Sequence, residues 1–109
     1  MRYIILVLML ALLLAGCRYE IKVPEAADRA KTECINLCLE AKLGRGTILE
    51  LDKSPCLSNE VIEDWVCDVA HDPRQDIDNM PENQCSAFRE GKAHHFVELD
   101  ENCEVIKIY

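Results

Sequence analysis

The sequence predicts a small α+β domain, with one N-terminal helix followed by an antiparallel sheet and a C-terminal hairpin, stapled by up to three disulfides. Three observations carry this. Apolar residues recur at helical spacing after Pro24, two β-prone runs close the chain, and Cys34, Cys38, Cys56, Cys67, Cys85 and Cys103 are distributed between them. A helix followed by strands, rather than strict alternation of the two, is the α+β pattern. Residues 24–109 form one domain, with no internal repeat.

The helix is predicted over 25–43. Pro24 suits the first turn, where an amide proton has no intrahelical partner, and Glu25 and Asp28 lie near the positive end of the dipole. Ala27, Ala30, Cys34, Leu37, Cys38 and Ala41 share one face, while Arg29, Lys31, Glu33, Asn36, Glu40 and Lys42 fall mostly on the other. Gly44 and Gly46 supply the stop.

Thr47 to Leu51 is β-prone and is broken by Ser54-Pro55. Residues 61–70 fit two patterns. Val61, Ile62, Trp65, Val66, Val69 and Ala70 can line a helix, but the β-branched and aromatic content of Trp65–Val69 favours a strand. Residues 71–84, rich in Asp, Asn and Pro, read as an irregular acidic loop. Ala93–Leu99 and Glu104–Tyr109 are strand-like and flank Asp100-Glu101-Asn102-Cys103, which predicts the hairpin. Val97 and Leu99 then share a face, matched by Ile106 and Ile108.

The N-terminal residues carry an address. Arg2 precedes an apolar run from Tyr3 to Leu14, and the run ends in Leu14-Ala15-Gly16-Cys17. About twelve apolar residues span roughly 18 Å as a helix, short of the roughly 30 Å bilayer core. The layout resembles a lipoprotein signal peptide. That resemblance implies that the Cys17 thiol receives a diacylglycerol, that cleavage removes residues 1–16, and that 17–23 are the lipidated Cys and a short tether. Acyl chains anchor firmly, since each buried CH₂ contributes about 0.8 kcal/mol. The location expected is extracytoplasmic and membrane-anchored, in the cell envelope.

Setting Cys17 aside turns seven cysteines into an even six. In a small exported chain this reads as a disulfide framework. The intervening gaps are 3, 17, 10, 17 and 17 residues, so no C-x2-C pair exists for structural zinc, nor any C-x-x-C for redox exchange. Six cysteines admit 15 pairings. Cys34 and Cys38 stack on one helix face with parallel side-chain directions, so each is expected to reach a separate partner.

Charge excludes one class of ligand. The 12 Lys and Arg lose Arg2 with the leader, leaving 11 against 20 Asp and Glu, a net charge of −9. No basic footprint for nucleic acid is present. An acidic domain is also repelled by anionic lipid and so is oriented outward from the surface that anchors it.

Candidate chemistry falls in three groups. Asp72, Asp76, Asp78, Asn79 and Glu82 offer oxygen ligands for a divalent cation. Asp76 and Asp78 match the start of an EF-hand loop, but Met80 takes the next ligand position and the turn glycine is missing. His71, His94 and His95 are the only histidines, and consecutive strand positions send His94 and His95 to opposite faces. Ser54, Ser58 and Ser86 lack a G-x-S-x-G setting, so no catalytic motif is present. Trp65, Arg74 and Arg89 are candidate recognition residues, since Trp and Arg dominate binding hot spots. No N-x-[ST] sequon occurs. The expectation is a non-enzymatic binding or structural module without a cofactor, whose partner is a cell-envelope protein or a small ligand. The alternative is a metal-ion-binding or metal-dependent protein using His71 and the acidic loop.

Overall fold

The computed structural model describes residues 23–45 and 49–109. The leader, Cys17, the tether to residue 22, Gly46 and the start of the expected strand at Thr47 lie outside them.

Helix α1 runs from Val23 to Lys42, so Val23, expected in the tether, is already helical. Its buried stripe is Ala30, Cys34, Cys38 and Ala41. These are small side chains at steps of four, four and three, so the helix lies close against what it covers. The helix ends in a Schellman motif, with Arg45 N–H on the Glu40 carbonyl at 2.8 Å and Gly44 N–H on the Ala41 carbonyl at 3.2 Å. Gly44 takes the left-handed φ of 69° that this motif requires. No helix among the described residues is long and apolar enough to cross a membrane.

Four strands follow: β1 (Cys56–Ile62), β2 (Trp65–Val69), β3 (His95–Leu99) and β4 (Val105–Ile108), side by side in that order. The α+β class holds, but the sheet is mixed rather than all antiparallel. β1–β2 and β3–β4 are antiparallel, whereas β2 and β3 are parallel, in register from Trp65↔His95 to Val69↔Leu99. The cause is the connection. After Val69 the chain leaves the sheet and returns only at His95, and a long crossover is what a parallel pair needs.

Local differences have local reasons. Residues 61–70 divide at the Glu63–Asp64 turn, with Val61 and Ile62 in β1 and Trp65–Val69 forming the expected strand. β1 was not distinct in the sequence because Ser58-Asn59-Glu60 at its centre are polar, as an edge strand tolerates. Leu51–Lys53 is a 3-10 turn rather than strand. The acidic loop holds two more such turns, Asp76–Asn79 and Pro81–Asn83, and then a short helix, α2 (Ser86–Arg89).

The C-terminal hairpin forms as predicted, and its turn is held by Asp100, whose Oδ1 accepts from Asn102 N–H at 2.8 Å and Glu104 N–H at 3.0 Å. Ile108 pairs with Val97, but an irregularity after Glu98 pairs Leu99 with Val105 rather than Ile106.

Alternation decides which residue meets which layer. Trp65, Cys67, Val69, Val97 and Leu99 face α1 and form the main core with its stripe. Val66 and Phe96 face the other way, into a smaller cluster with Cys56, Cys85, Ala87 and Ala93. Three disulfides tie the layers: Cys34–Cys67, Cys38–Cys103 and Cys56–Cys85. Cys34 and Cys38 thus reach separate partners, one in β2 and one in the hairpin turn. Such cross-linking in so small a domain is consistent with an extracytoplasmic location.

Candidate functional site

The sheet face opposite α1 is the floor of a cavity of about 410 Å³. Val66 and Asp68 come from β2, Phe96 and Glu98 from β3, and Lys107 from β4, all selected by the period of two that sends their neighbours to the core. The crossover supplies the walls: Arg74, Gln84, Cys85, Phe88 and Arg89. Two links fix α2 above the floor. The Cys56–Cys85 disulfide holds its start, and Ala87 N–H donates to Asn59 Oδ1 at 2.9 Å. Phe88 then meets Phe96 edge to face at 5.0 Å, and Phe96 stacks on Tyr109 at 5.3 Å.

Asp68 and Glu98 lie side by side on this floor, as register partners. Burial, then the nearby charge of Glu98, pushes Asp68 up to about 7, against smaller opposing effects of the Val69 N–H and Arg74. Glu98 has a cation of its own, with Arg74 Nη1 at 3.3 Å. Arg74 is otherwise committed, donating from Nε to Asn79 Oδ1 at 2.8 Å and from Nη2 to the Asp78 carbonyl at 3.4 Å. Arg89 donates to the Pro81 carbonyl at 3.0 Å. Lys107 Nζ lies 5.8 and 5.7 Å from the ring centres of Phe96 and Tyr109. Among the described residues, neither Arg89 nor Lys107 forms an ion pair.

A second cluster joins Ser54, His71 and Asp78. Ser54 is 1% exposed and Asp78 3%. His71 Nδ1 lies 3.0 Å from Ser54 Oγ and 2.9 Å from Asp78 Oδ1, and Ser54 Oγ donates to the same carboxylate. Burial favours the neutral acid at Asp78. Hydrogen bonds from Gln75 N–H, the Ser54 hydroxyl and the His71 ring and N–H overcome it, leaving the group at about 2. Although the residue types are those of a hydrolase triad, the roles are not. A triad's base meets serine through one ring nitrogen and aspartate through the other, whereas here both use Nδ1 and the serine is sealed from solvent. The cluster locks the crossover's first turn to the 3-10 turn before β1.

His94 and His95 are gathered by Asp64 in the β1–β2 turn. His94 Nδ1 is 2.6 Å from Asp64 Oδ1, and His95 Nε2 is 3.7 Å from Oδ2. The bond to His94 holds the Asp64 carboxyl below its usual range. His94 lies just before β3, so the opposite-face rule for adjacent strand positions does not apply to it, and both rings reach one carboxylate; His94 is exposed, and His95 stacks on Trp65 with ring centres 4.6 Å apart.

The predicted site residues are therefore dispersed. Asp72, Asp76, Asn79 and Glu82 are exposed, and Asp78 and His71 bond to each other and to Ser54. Among the described residues, no three His, Cys, Asp or Glu side chains converge as metal ligands would. Trp65, expected on a recognition surface, is 4% exposed because β2 turns it toward α1, while Arg74 and Arg89 do line the cavity. Sequence reasoning missed Asp68, Glu98, Phe88, Phe96 and Lys107. The available signal was a single acid at the same phase of two apolar strands, Asp68 in Trp65–Val69 and Glu98 in His95–Leu99.

Compared with protein-family models, curated proteins and solved structures, the chain matches none.

Proposed function

We propose that this chain is an extracytoplasmic lipoprotein of non-enzymatic type, a disulfide-braced module that holds a ligand on the sheet face opposite its helix. One observation carries the binding reading: the cavity of about 410 Å³ lies within the range of roughly 300–1,000 Å³ common for ligand pockets, and it mixes aromatic walls with a few charged groups. The walls and floor are cross-linked by Cys56–Cys85, and the floor strands are tied to α1 by Cys34–Cys67. A cavity so braced loses little order on binding. The anchor rests on the likeness of Leu14-Ala15-Gly16-Cys17 to a lipoprotein cleavage site. With Cys17 lipidated, the five residues between it and α1, fully extended, would reach about 17 Å, which keeps the domain near the membrane.

Intact-mass analysis of the protein from its native membrane tests the address. It should find cleavage before Cys17, an acyl adduct and the loss of six hydrogens for three disulfides. Thermal-shift screening of a small-metabolite library, run on the wild type and on Gln84→Trp, tests the cavity. Compounds that raise the wild-type Tm should lose their effect when the new indole fills the site. Compounds that stabilise both proteins alike, or a library with no stabilising member, overturn the binding reading.

A further inference from the structure

We infer that the cavity's ligand is a small zwitterion of the amino-acid or dipeptide class, with its ammonium group on Asp68 and its carboxylate on Arg89 and Lys107. This rests on the binding reading above and adds the ligand's chemistry.

The inference follows from which charged groups remain unused. Of five ionisable side chains around the cavity, Arg74 and Glu98 neutralise each other at 3.3 Å. That leaves one acid deep in the site and two cations at its rim. Among the described residues, Asp68 has a single hydrogen bond, Oδ1 accepting from Val69 N–H at 3.0 Å, and no ion pair. No sealed side-chain oxygen among the described residues lacks a partner, so the free Asp68 oxygen is open to solvent, and Asp68 lines this cavity. Arg89 and Lys107 are exposed and form no ion pair among the described residues.

Other ligand chemistries fit less well. A phosphate or other pure anion would sit against Asp68 and Glu98. A simple amine would satisfy Asp68 but leave Arg89 and Lys107 without compensation. A zwitterion answers both ends, because an ammonium offers three N–H donors to a carboxylate and a carboxylate accepts charge-assisted bonds from Arg and Lys. Its apolar portion lies against Val66, Phe88 and Phe96, which supply the hydrophobic wall. The high proton affinity of Asp68 then has a consequence. An ammonium beside it favours the carboxylate, so binding near neutral pH expels a proton. Glu98, Arg74, Arg89 and Lys107 line the same cavity, from β3, the crossover, α2 and β4, and the nearby Asp78 carboxylate of the crossover also disfavours the charged form of Asp68.

Isothermal titration of the purified protein with Ala-Phe, N-acetyl-Ala-Phe and Ala-Phe amide provides the test. The free dipeptide should bind, and removing either charge should weaken binding by roughly 10- to 100-fold, the cost of one charge-assisted contact. Asp68→Asn should weaken the free dipeptide by a similar factor and leave the acetylated one unchanged. The double variant Arg89→Gln/Lys107→Gln should weaken the free dipeptide and spare the amide. For the wild type, the binding heat should vary with the ionisation enthalpy of the buffer, as proton release requires. Equal affinity for the free and acetylated dipeptides, no effect of Asp68→Asn, or no binding by any of the three overturns the zwitterion. Should uncharged compounds stabilise the wild type but not Gln84→Trp, the binding module stands and only its ligand class falls.

Discussion

Asp68 stands opposite Glu98 across the parallel pair β2–β3, so two carboxylates share one face at adjacent strand positions. Strands about 4.8 Å apart leave little room for two full negative charges. The structure separates their roles by pairing Glu98 with the Arg74 guanidinium and leaving Asp68, which has no ion pair among the described residues, at about 7. That separation governs both the cavity and the pH response of the fold.

Asp68→Asn should flatten the stability profile between about pH 4 and pH 7. Unfolded, Asp68 titrates near its ordinary 3.8, and folded at about 7, so in this window only the folded chain holds the proton. Wild-type stability therefore falls as pH rises through the window, by up to roughly 4 kcal/mol. Glu98 and Asp78 deepen the fall, and the Val69 N–H and Arg74 offset it. Urea unfolding at about pH 4.5 and about pH 8 measures the difference. Parallel profiles for the two proteins would mean that Asp68 is ionised throughout.

Asp78 acts in the opposite sense at lower pH. Its folded value of about 2 lies below 3.8, so its contribution is full above the latter and is lost as pH falls through the former. Asp78→Asn should cost about 3 kcal/mol at neutral pH, since Oδ2 accepts from both His71 N–H and Gln75 N–H. Ser54→Ala removes one buried donor and should cost about 1–2 kcal/mol. Denaturant titration checks both, and a loss under about 0.5 kcal/mol for each variant would show that the cluster does not lock the fold.

Replacing Cys38 and Cys103 by Ala should destabilise more than replacing Cys56 and Cys85. That bridge closes a separation of 65 residues, against 29 for Cys56–Cys85. Chain entropy alone makes the difference about 0.7 kcal/mol, and the greater burial of Cys38 adds to it. Guanidinium unfolding of the two paired variants would reveal the order, and a larger loss for Cys56–Cys85 would contradict it.

Arg74→Ala should act locally. Its ion pair with Glu98 joins a half-exposed guanidinium to a carboxylate side chain only 14% exposed, and is worth about 1 kcal/mol to the whole domain. Its bonds to Asn79 and the Asp78 carbonyl nevertheless fasten the 3-10 turn at Asp76–Asn79. Limited proteolysis should cut within residues 72–80 faster than in the wild type, with the unfolding midpoint nearly unchanged. An unchanged cleavage rate would assign that role elsewhere.

Much of this architecture was legible because it is local. The spacing of Ala30, Cys34, Cys38 and Ala41 fixes the buried face of α1, and the same spacing aims Cys34 and Cys38 at different partners. The hairpin at Asp100–Cys103 was equally readable from its turn residues. The parallel β2–β3 pair was not, because no local pattern sets the direction in which a long crossover returns. Asp68 and Glu98 stayed hidden for the same reason. Each reads alone as an ordinary polar strand position, and only a non-local register sets them side by side. The Ser54–His71–Asp78 cluster was half visible, since His71 and Asp78 stood out as polar candidates but nothing signalled that Ser54 would be buried with them.

The crossover between Val69 and His95 also divides the molecule by its tolerance to change. Disulfides and strand pairing hold the floor, while Arg74, Gln84, Cys85, Phe88 and Arg89 all come from one uninterrupted stretch of chain. The walls of the cavity can therefore be altered within that stretch while every contact beneath α1 stays as it is. Walls and floor are separable in the sequence itself, and exchange of this one segment would reshape the surroundings of Asp68, Glu98 and Lys107, which the strands supply.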